Sequence, residues 1–82
     1  MLFEYIHSAM KLAHYEYLQE DKTYYGEIPG FQGVFTTDNN LETCRDRLAE
    51  ILEEWLFFRI SQNLPIPTID GIELQIRKVE YA

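Results

Sequence analysis

The sequence predicts a small α+β domain in which helices pack on one face of an antiparallel sheet. Three observations point to this class. Apolar residues recur at helical spacing at the N terminus, the period changes to two from Ala13, and a longer helical pattern starts at Leu41. The 82 residues suffice for one domain, and 46% of them are hydrophobic. A chain of this size buries only about 60% of its unfolded surface, so an additional interface would help to stabilise it.

The first element is a short amphipathic helix over residues 2–11. Leu2, Phe3, Ile6 and Met10 fall at helical spacing, and polar residues occupy positions between them. Such a pattern forms one apolar stripe along the helix. We expect this helix to cover one end of the core, with docking of a partner as its alternative role.

A three-stranded meander follows the first helix. Residues 13–28 are typical of a hairpin whose polar connection is 19–23. One face of the first strand carries Ala13, Tyr15 and Tyr17, and the other carries His14, Glu16 and Leu18.

Turn residues separate the second strand from the third. Pro29 fixes its own φ and ends the second strand, while Gly30 and Gly33 are free to take positive φ. The run 34–37 then has β-branched and aromatic strand character. We therefore expect the third strand at Val34–Thr37, beside the second.

The long helix is predicted over Leu41–Gln62, with Asn40 placed to cap its first turn. Its core stripe has three- and four-residue spacing and comprises Leu41, Cys44, Leu48, Ile51, Leu52, Trp55 and Phe58. Further along, the apolar surface widens around a whole turn. Such a turn needs a second covering surface, either the first helix, another copy of the chain, or both. We therefore expect a homodimer or higher oligomer whose interface contains Trp55, Leu56, Phe57 and Phe58.

One more strand is predicted after the long helix. Pro65 and Pro67 prevent the helix from continuing, and Asp70 with Gly71 is a turn signal. Alternation of apolar and polar residues then predicts a final strand through Ile72, Leu74 and Ile76.

The chain is acidic, with 14 Asp and Glu residues against 7 Lys and Arg and a net charge of −7. Because nucleic-acid affinity depends on neutralising phosphates, this balance argues against direct binding of DNA or RNA. It favours a small basic protein as partner, with solubility alone as the alternative explanation. The candidate partner-binding residues are Glu20 and Asp21 at the hairpin tip, Glu27 on the second strand, and Glu50 and Glu54 on the long helix.

No motif for phosphate binding, zinc binding or nucleophilic catalysis appears, so we expect no enzyme activity, cofactor or metal. His7 and His14 flank the first helix–strand junction without a nearby cysteine pair. Cys44 is the single cysteine, which excludes an intramolecular disulfide and is typical of inert packing. A Cys–His pair would require His14 to face Cys44 on the sheet.

With no signal peptide or long apolar run, we expect a cytoplasmic protein.

The central segment GEIPGFQGVFTTDNNLETCRDRL resembles the corresponding part of HicB-family antitoxins, and the similarity extends over roughly residues 13–62. The shared elements are a strand, an Ile-Pro-Gly turn, a second glycine, and threonines before a helix. Asp38 stands where the family has glycine, and Asn40 replaces a capping threonine. Thr43 stands where the capping-box Glu would be. Asp and Asn tolerate left-handed geometry and cap helices well, so the fold can survive both changes.

The resemblance implies a single HicB-like domain over 1–82 with a two-layer, reduced ribonuclease H-like fold. It also implies an antitoxin that binds and neutralises a small basic ribonuclease toxin of the HicA kind. Full-length relatives usually carry a C-terminal DNA-binding segment, whereas only one predicted strand follows the long helix here. We therefore expect a stand-alone N-terminal-type domain, acting as an antitoxin or as an orphan regulator.

Two other functions stay open. One is an oligomeric scaffold or interaction protein without a toxin, which the aromatic turn at residues 55–58 would serve. The other is a residual metal-dependent nuclease, because the resemblance extends to a ribonuclease H-like fold. Such chemistry needs carboxylates that converge on two metals about 3.5–4 Å apart. The candidate carboxylates are Glu16, Asp38 and Asp46, and nothing in the sequence forces them together.

Overall fold

The computed structural model describes residues 2–69. In chain order it contains α1 (Leu2–Lys11), β1 (His14–Leu18), β2 (Thr23–Glu27), β3 (Phe35–Asp38) and α2 (Leu41–Ser61). The strands form one antiparallel sheet in the order β1-β2-β3, which is a meander. This confirms the predicted α+β class and its element order as far as α2. The predicted final strand at 72–76 lies outside the described residues.

The strand register assigns each side chain to one of two sheet faces, because directly paired residues project to the same side. β1 pairs with β2 from His14↔Glu27 to Leu18↔Thr23, and β2 pairs with β3 from Tyr24↔Asp38 to Glu27↔Phe35. We call the face towards α2 the inner face; it carries Tyr15, Tyr17, Tyr24, Gly26, Thr36 and Asp38. The opposite, outer face carries His14, Glu16, Leu18, Thr23, Tyr25, Glu27, Phe35 and Thr37.

α2 begins at a well-formed cap. Asn40 has extended backbone angles (φ −119°, ψ 133°), and its side-chain oxygen accepts hydrogen bonds from the backbone N–H groups of Glu42 and Thr43 at 2.8 and 3.1 Å. Two of the first-turn N–H groups, which have no partner within the helix, are thereby satisfied. The helix ends at Ser61, with Gln62 as the C-cap residue, one position earlier than predicted.

The core lies between α2, α1, the β2–β3 connection and the start of the segment after α2. Its buried members are Tyr5, Ala9, Ile28, Phe31, Val34, Cys44, Leu48, Leu52, Leu56 and Ile69. On α2 the buried row is therefore Cys44, Leu48, Leu52 and Leu56, at strict four-residue spacing.

The predicted stripe on α2 was wrong at both of its ends. Leu41 is 43% exposed and Phe58 is 60% exposed. Phe58 follows the buried Leu56 by two residues, which is about 200° around the helix, so the two side chains point to opposite sides. The helix buries a narrower row than its apolar content suggests.

The β2–β3 connection is a closed loop packed against the core. The Ile28 N–H donates to the Val34 carbonyl at 3.2 Å. The Phe31 N–H donates to the Ile28 carbonyl at 3.2 Å, and the Phe31 carbonyl accepts from the Val34 N–H at 3.1 Å. Gly30 and Gly33 have φ of +87° and +94°, where glycine carries no steric penalty. Because Val34 turns into the core, β3 begins at Phe35 instead of at the predicted Val34.

Within residues 2–69, neither helix is both long and apolar enough to cross a membrane.

Candidate partner surface

The outer face of the sheet is left uncovered by the described elements. α2 packs against β2 and β3 from the inner side, and α1 packs on α2. On the outer face His14, Glu16 and Glu27 are exposed, and Phe35 keeps 55% of its surface exposed although it is apolar. A large exposed apolar side chain beside a second aromatic ring is a candidate contact surface.

An aromatic pair links β2 and β3 on this face. The rings of Tyr25 and Phe35, on neighbouring strands, lie 6.2 Å apart with an interplanar angle of 31°. The Tyr25 hydroxyl donates a hydrogen bond to Oε2 of Glu27 at 3.2 Å. Partial desolvation, this hydrogen bond, and the negative charges of Glu27 and Glu16 raise the pKa of Tyr25. The face therefore combines an apolar centre with carboxylates beside it.

The structure separates the five candidate partner-binding residues into two groups. Glu27 lies on the outer face, and Glu20 and Asp21 are exposed in the turn joining β1 to β2. Glu50 and Glu54 are exposed on the side of α2 that points away from its buried row and from the sheet. These two groups lie on opposite sides of the molecule, so one small partner does not reach both.

The aromatic pair and Glu16 were not among the partner-binding candidates predicted from the sequence. Their signal was present in part, since alternation already placed Glu16 on one face of β1. The missing information was the pairing of Glu16 with Tyr25 and of Glu27 with Phe35, which gathers them on one surface.

The structure buries some residues of the predicted oligomer interface and exposes the others. Leu56 is only 1% exposed and belongs to the core, so its assignment to a surface contact was wrong. Trp55 is half-buried, and its Nε1 donates to the Gln32 carbonyl at 3.0 Å. Its ring meets the edge of Phe31 with centroids 5.1 Å apart. The β2–β3 connection thus supplies much of the cover that we expected from α1 or another copy.

Phe57 and Phe58 are the two members of that predicted interface that stay on the surface. They are 59% and 60% exposed and adjoin each other near the end of α2. They form an apolar patch on the side of the helix away from the sheet.

The three candidate metal-binding carboxylates do not converge. Glu16 lies on the outer face, Asp38 lies on the inner face, and Asp46 is exposed on α2. In residues 2–69, no three His, Cys, Asp or Glu side chains are grouped so that they could hold a metal ion. The geometry in this part of the chain does not supply the cluster that the nuclease alternative requires.

Cys44 is buried beneath the sheet and is separated from His14. Its sulfur lies 3.7 Å from the Tyr24 carbonyl oxygen and 3.9 Å from that of Thr36, on the inner face. Burial and the charge of Asp38 raise the pKa of the Cys44 thiol, which favours the unreactive protonated form. His14 lies on the outer face, so the sheet stands between the two side chains.

Comparisons with known proteins agree with this architecture. A family model described as UPF0150-like matches residues 4–67. The crystal structure of TTHA0281 from Thermus thermophilus is similar, with 34% sequence identity and a TM-score of 0.86. The alignment covers 94% of this chain and 95% of that chain. A comparison with curated proteins found no match.

Proposed function

Because the chain belongs to the UPF0150-like family, a HicB-related family of small proteins, we propose that it is a HicB-like antitoxin module. It binds a small basic ribonuclease toxin of the HicA kind and neutralises it by covering its active site. The observation that carries this proposal is the outer face, which no element within residues 2–69 covers, with its Tyr25–Phe35 pair and the carboxylates of Glu16 and Glu27.

The layout of the outer face is suited to a protein partner. Interfaces typically place aromatic anchors at a dehydrated centre and polar groups at the rim, and a few central residues dominate affinity. Phe35 and Tyr25 provide the aromatic anchors here, and Glu16 and Glu27 provide neighbouring charges. The exposed Glu20 and Asp21 extend the negative charge to the β1–β2 turn.

A ribonuclease is a suitable basic partner on electrostatic grounds. An enzyme that binds RNA must present cationic groups to phosphates, and those groups attract carboxylates equally well. Once bound, a chain of net charge −7 also repels RNA from the covered site. In this proposal the module acts by protein contact in the cytoplasm, without nucleic-acid contact, cofactor or catalysis of its own.

The test measures inhibition of a small basic ribonuclease of the HicA kind, using an RNA-cleavage assay and a binding assay. Glu16→Lys combined with Glu27→Lys should weaken binding by at least about tenfold (~1.4 kcal/mol) and relieve inhibition. Phe35→Ala should weaken binding by roughly 30-fold, the effect of losing a central anchor worth about 2 kcal/mol.

The matched control is Glu50→Lys combined with Glu54→Lys. It changes the net charge by the same amount on the opposite side of the molecule, so binding should stay within about threefold of wild type. Association should slow as salt rises, since the Debye length is only about 8 Å at 0.15 M ionic strength. A larger effect from the helix pair would place the contact on α2. Absence of inhibition by the wild-type chain would refute the antitoxin proposal itself.

The exposed Phe57–Phe58 patch favours a second candidate, an oligomeric interaction protein that needs no toxin. Assembly through this patch as a homodimer or higher oligomer is also compatible with an antitoxin. Sedimentation at low micromolar concentration should show more than one chain per particle. Phe57→Ser with Phe58→Ser should yield a folded monomer, whereas Phe3→Ser, at an 80% exposed position on α1, should leave the assembly unchanged. A monomeric wild type would contradict assembly.

A further inference from the structure

A cleft on the helix side of the molecule is unrelated to the outer face. It lies between the end of α1, the start of β1 and the first turns of α2, and its volume is about 330 Å³. Met10, Ala13 and Leu41 provide its apolar walls. The volume lies at the lower end of the roughly 300–1,000 Å³ range of small-molecule sites.

Basic side chains line this cleft in an otherwise acidic protein. Lys11 from α1 and Arg45 from α2 reach it from two different helices, and His7 lies beside them. Tyr15 also lines it, and among residues 2–69 Glu42 is its one carboxylate. Apolar walls with a few charged groups are the usual composition of a ligand site.

Arg45 holds the central position in this region. Its positive charge lowers the pKa of Tyr15, although burial of the phenol raises that pKa more strongly. A second cleft of about 170 Å³, between α1 and α2, shares His7, Met10 and Arg45 with the first. The two clefts are therefore neighbours, and Arg45 lines both of them.

We propose that this cleft binds a small organic carboxylate. The carboxylate group lies between Lys11 and Arg45, and the apolar part of the ligand packs on Met10, Ala13 and Leu41. Arginine favours planar carboxylates because its guanidinium can donate two parallel hydrogen bonds. A single negative charge suits the site better than a dianionic phosphate does, because Glu42 also lines it.

This site is independent of the proposed antitoxin function. Tyr15 projects from the inner face of the sheet, whereas the proposed toxin contact is on the outer face. The two surfaces are separated by the sheet, so each can be tested without the other. If the toxin does not bind, the proposal of a carboxylate site is unaffected. If the carboxylate does not bind, the antitoxin proposal is unaffected.

The experiment is an NMR titration of the full chain with phenylacetate, phenylacetamide and inorganic phosphate. Phenylacetate should shift resonances of residues lining the cleft and bind at least about tenfold tighter than the neutral amide of the same shape. Equal binding of acid and amide would overturn the proposal, because charge would then contribute nothing. Tighter binding of phosphate, or no binding of phenylacetate at millimolar concentration, would overturn it as well.

Three variants locate the site. Lys11→Gln and Arg45→Gln should each weaken phenylacetate binding by about tenfold. Arg47→Gln is the matched control, since Arg47 is exposed on the same helix but does not line the cleft, and binding should be unchanged. Circular dichroism checks that all three variants remain folded. If Arg45→Gln and Arg47→Gln bind alike, the ligand does not occupy this cleft and the proposal fails.

Discussion

Replacement of Gly26 by alanine tests how closely α2 approaches the central strand. A Cβ at this buried position would lie 3.1 Å from two ring carbons of Tyr15 and 3.2 Å from the sulfur of Cys44. Ordinary van der Waals contacts of a Cβ begin near 3.4 Å. The Tyr15 ring can move because it is 37% exposed, whereas Cys44 is fully buried on a helix and cannot.

The net effect is a loss of stability. Methyl groups added to packed interiors lower the free energy of unfolding by about 1–3 kcal/mol. Alanine also has less conformational entropy than glycine in the unfolded chain, which raises the free energy of unfolding by about 0.4–1 kcal/mol. We therefore expect a net loss of about 1 kcal/mol for Gly26→Ala. For a domain of this length, that loss lowers the midpoint of thermal unfolding by roughly 4–8 °C.

The assay is a double-mutant cycle followed by thermal and urea unfolding. Cys44→Ala alone should cost about 1 kcal/mol, because it removes a buried sulfur and leaves a small cavity. In the double variant the smaller side chain at position 44 leaves room for the added methyl group. The loss in free energy of unfolding of the double variant should therefore be smaller than the sum of the two single losses by at least about 0.5 kcal/mol. Strictly additive losses, or a Gly26→Ala variant as stable as wild type, would refute the packing argument.

Three further predictions concern the turn, the helix cap and the buried tyrosine. Gly30→Val should destabilise the fold by about 1–3 kcal/mol in urea unfolding, because φ is +87° there; an unchanged midpoint would show that the backbone tolerates a side chain. Asn40→Ala should cost about 1 kcal/mol by removing the acceptor at the start of α2, whereas Asn39→Ala, next to it, should cost little. Burial raises the pKa of Tyr5 to about 12 from 10.0. Its neutral form is therefore favoured in the folded state, so its contribution to stability is complete below pH 10 and declines as the pH rises to about 12. Tyr5→Phe should remove this decline, measured as the free energy of unfolding between about pH 9 and 12. The same pH dependence in wild type and variant would contradict this role of Tyr5.

Local patterns in the sequence were sufficient to predict most of the fold. The alternation in residues 13–18 depends only on which residues are neighbours along a strand, and it assigned the β1 faces as the structure has them. The start of α2 was equally predictable, since capping by Asn40 involves N–H groups only two and three residues away.

The burial of α2 could not be predicted in the same way. Leu41 and Phe58 are as apolar as the buried members of the helix, and three- and four-residue spacing fits more than one face. Only contacts with the distant Phe31, Val34 and Tyr5 select the row that is buried.

The candidate surface was beyond prediction for a related reason. The Tyr25–Phe35 pair depends on the register between β2 and β3, across a connection longer than a tight hairpin turn. Shifting that register by one residue would move Phe35 to the inner face. The sequence contained both aromatic residues but not the pairing that brings them together.

Trp55 is an intrinsic fluorescence probe of this molecule. It is the single tryptophan of the chain, its indole N–H is bonded to Gln32 of the β2–β3 connection, and the Arg59 guanidinium lies 4.5 Å above its ring. Its fluorescence emission therefore depends on the packing of that connection against α2. The indole packs against Phe31 and Gln32 of that connection. A change in its emission when a partner binds would accordingly report a change at that connection, without any added dye or label.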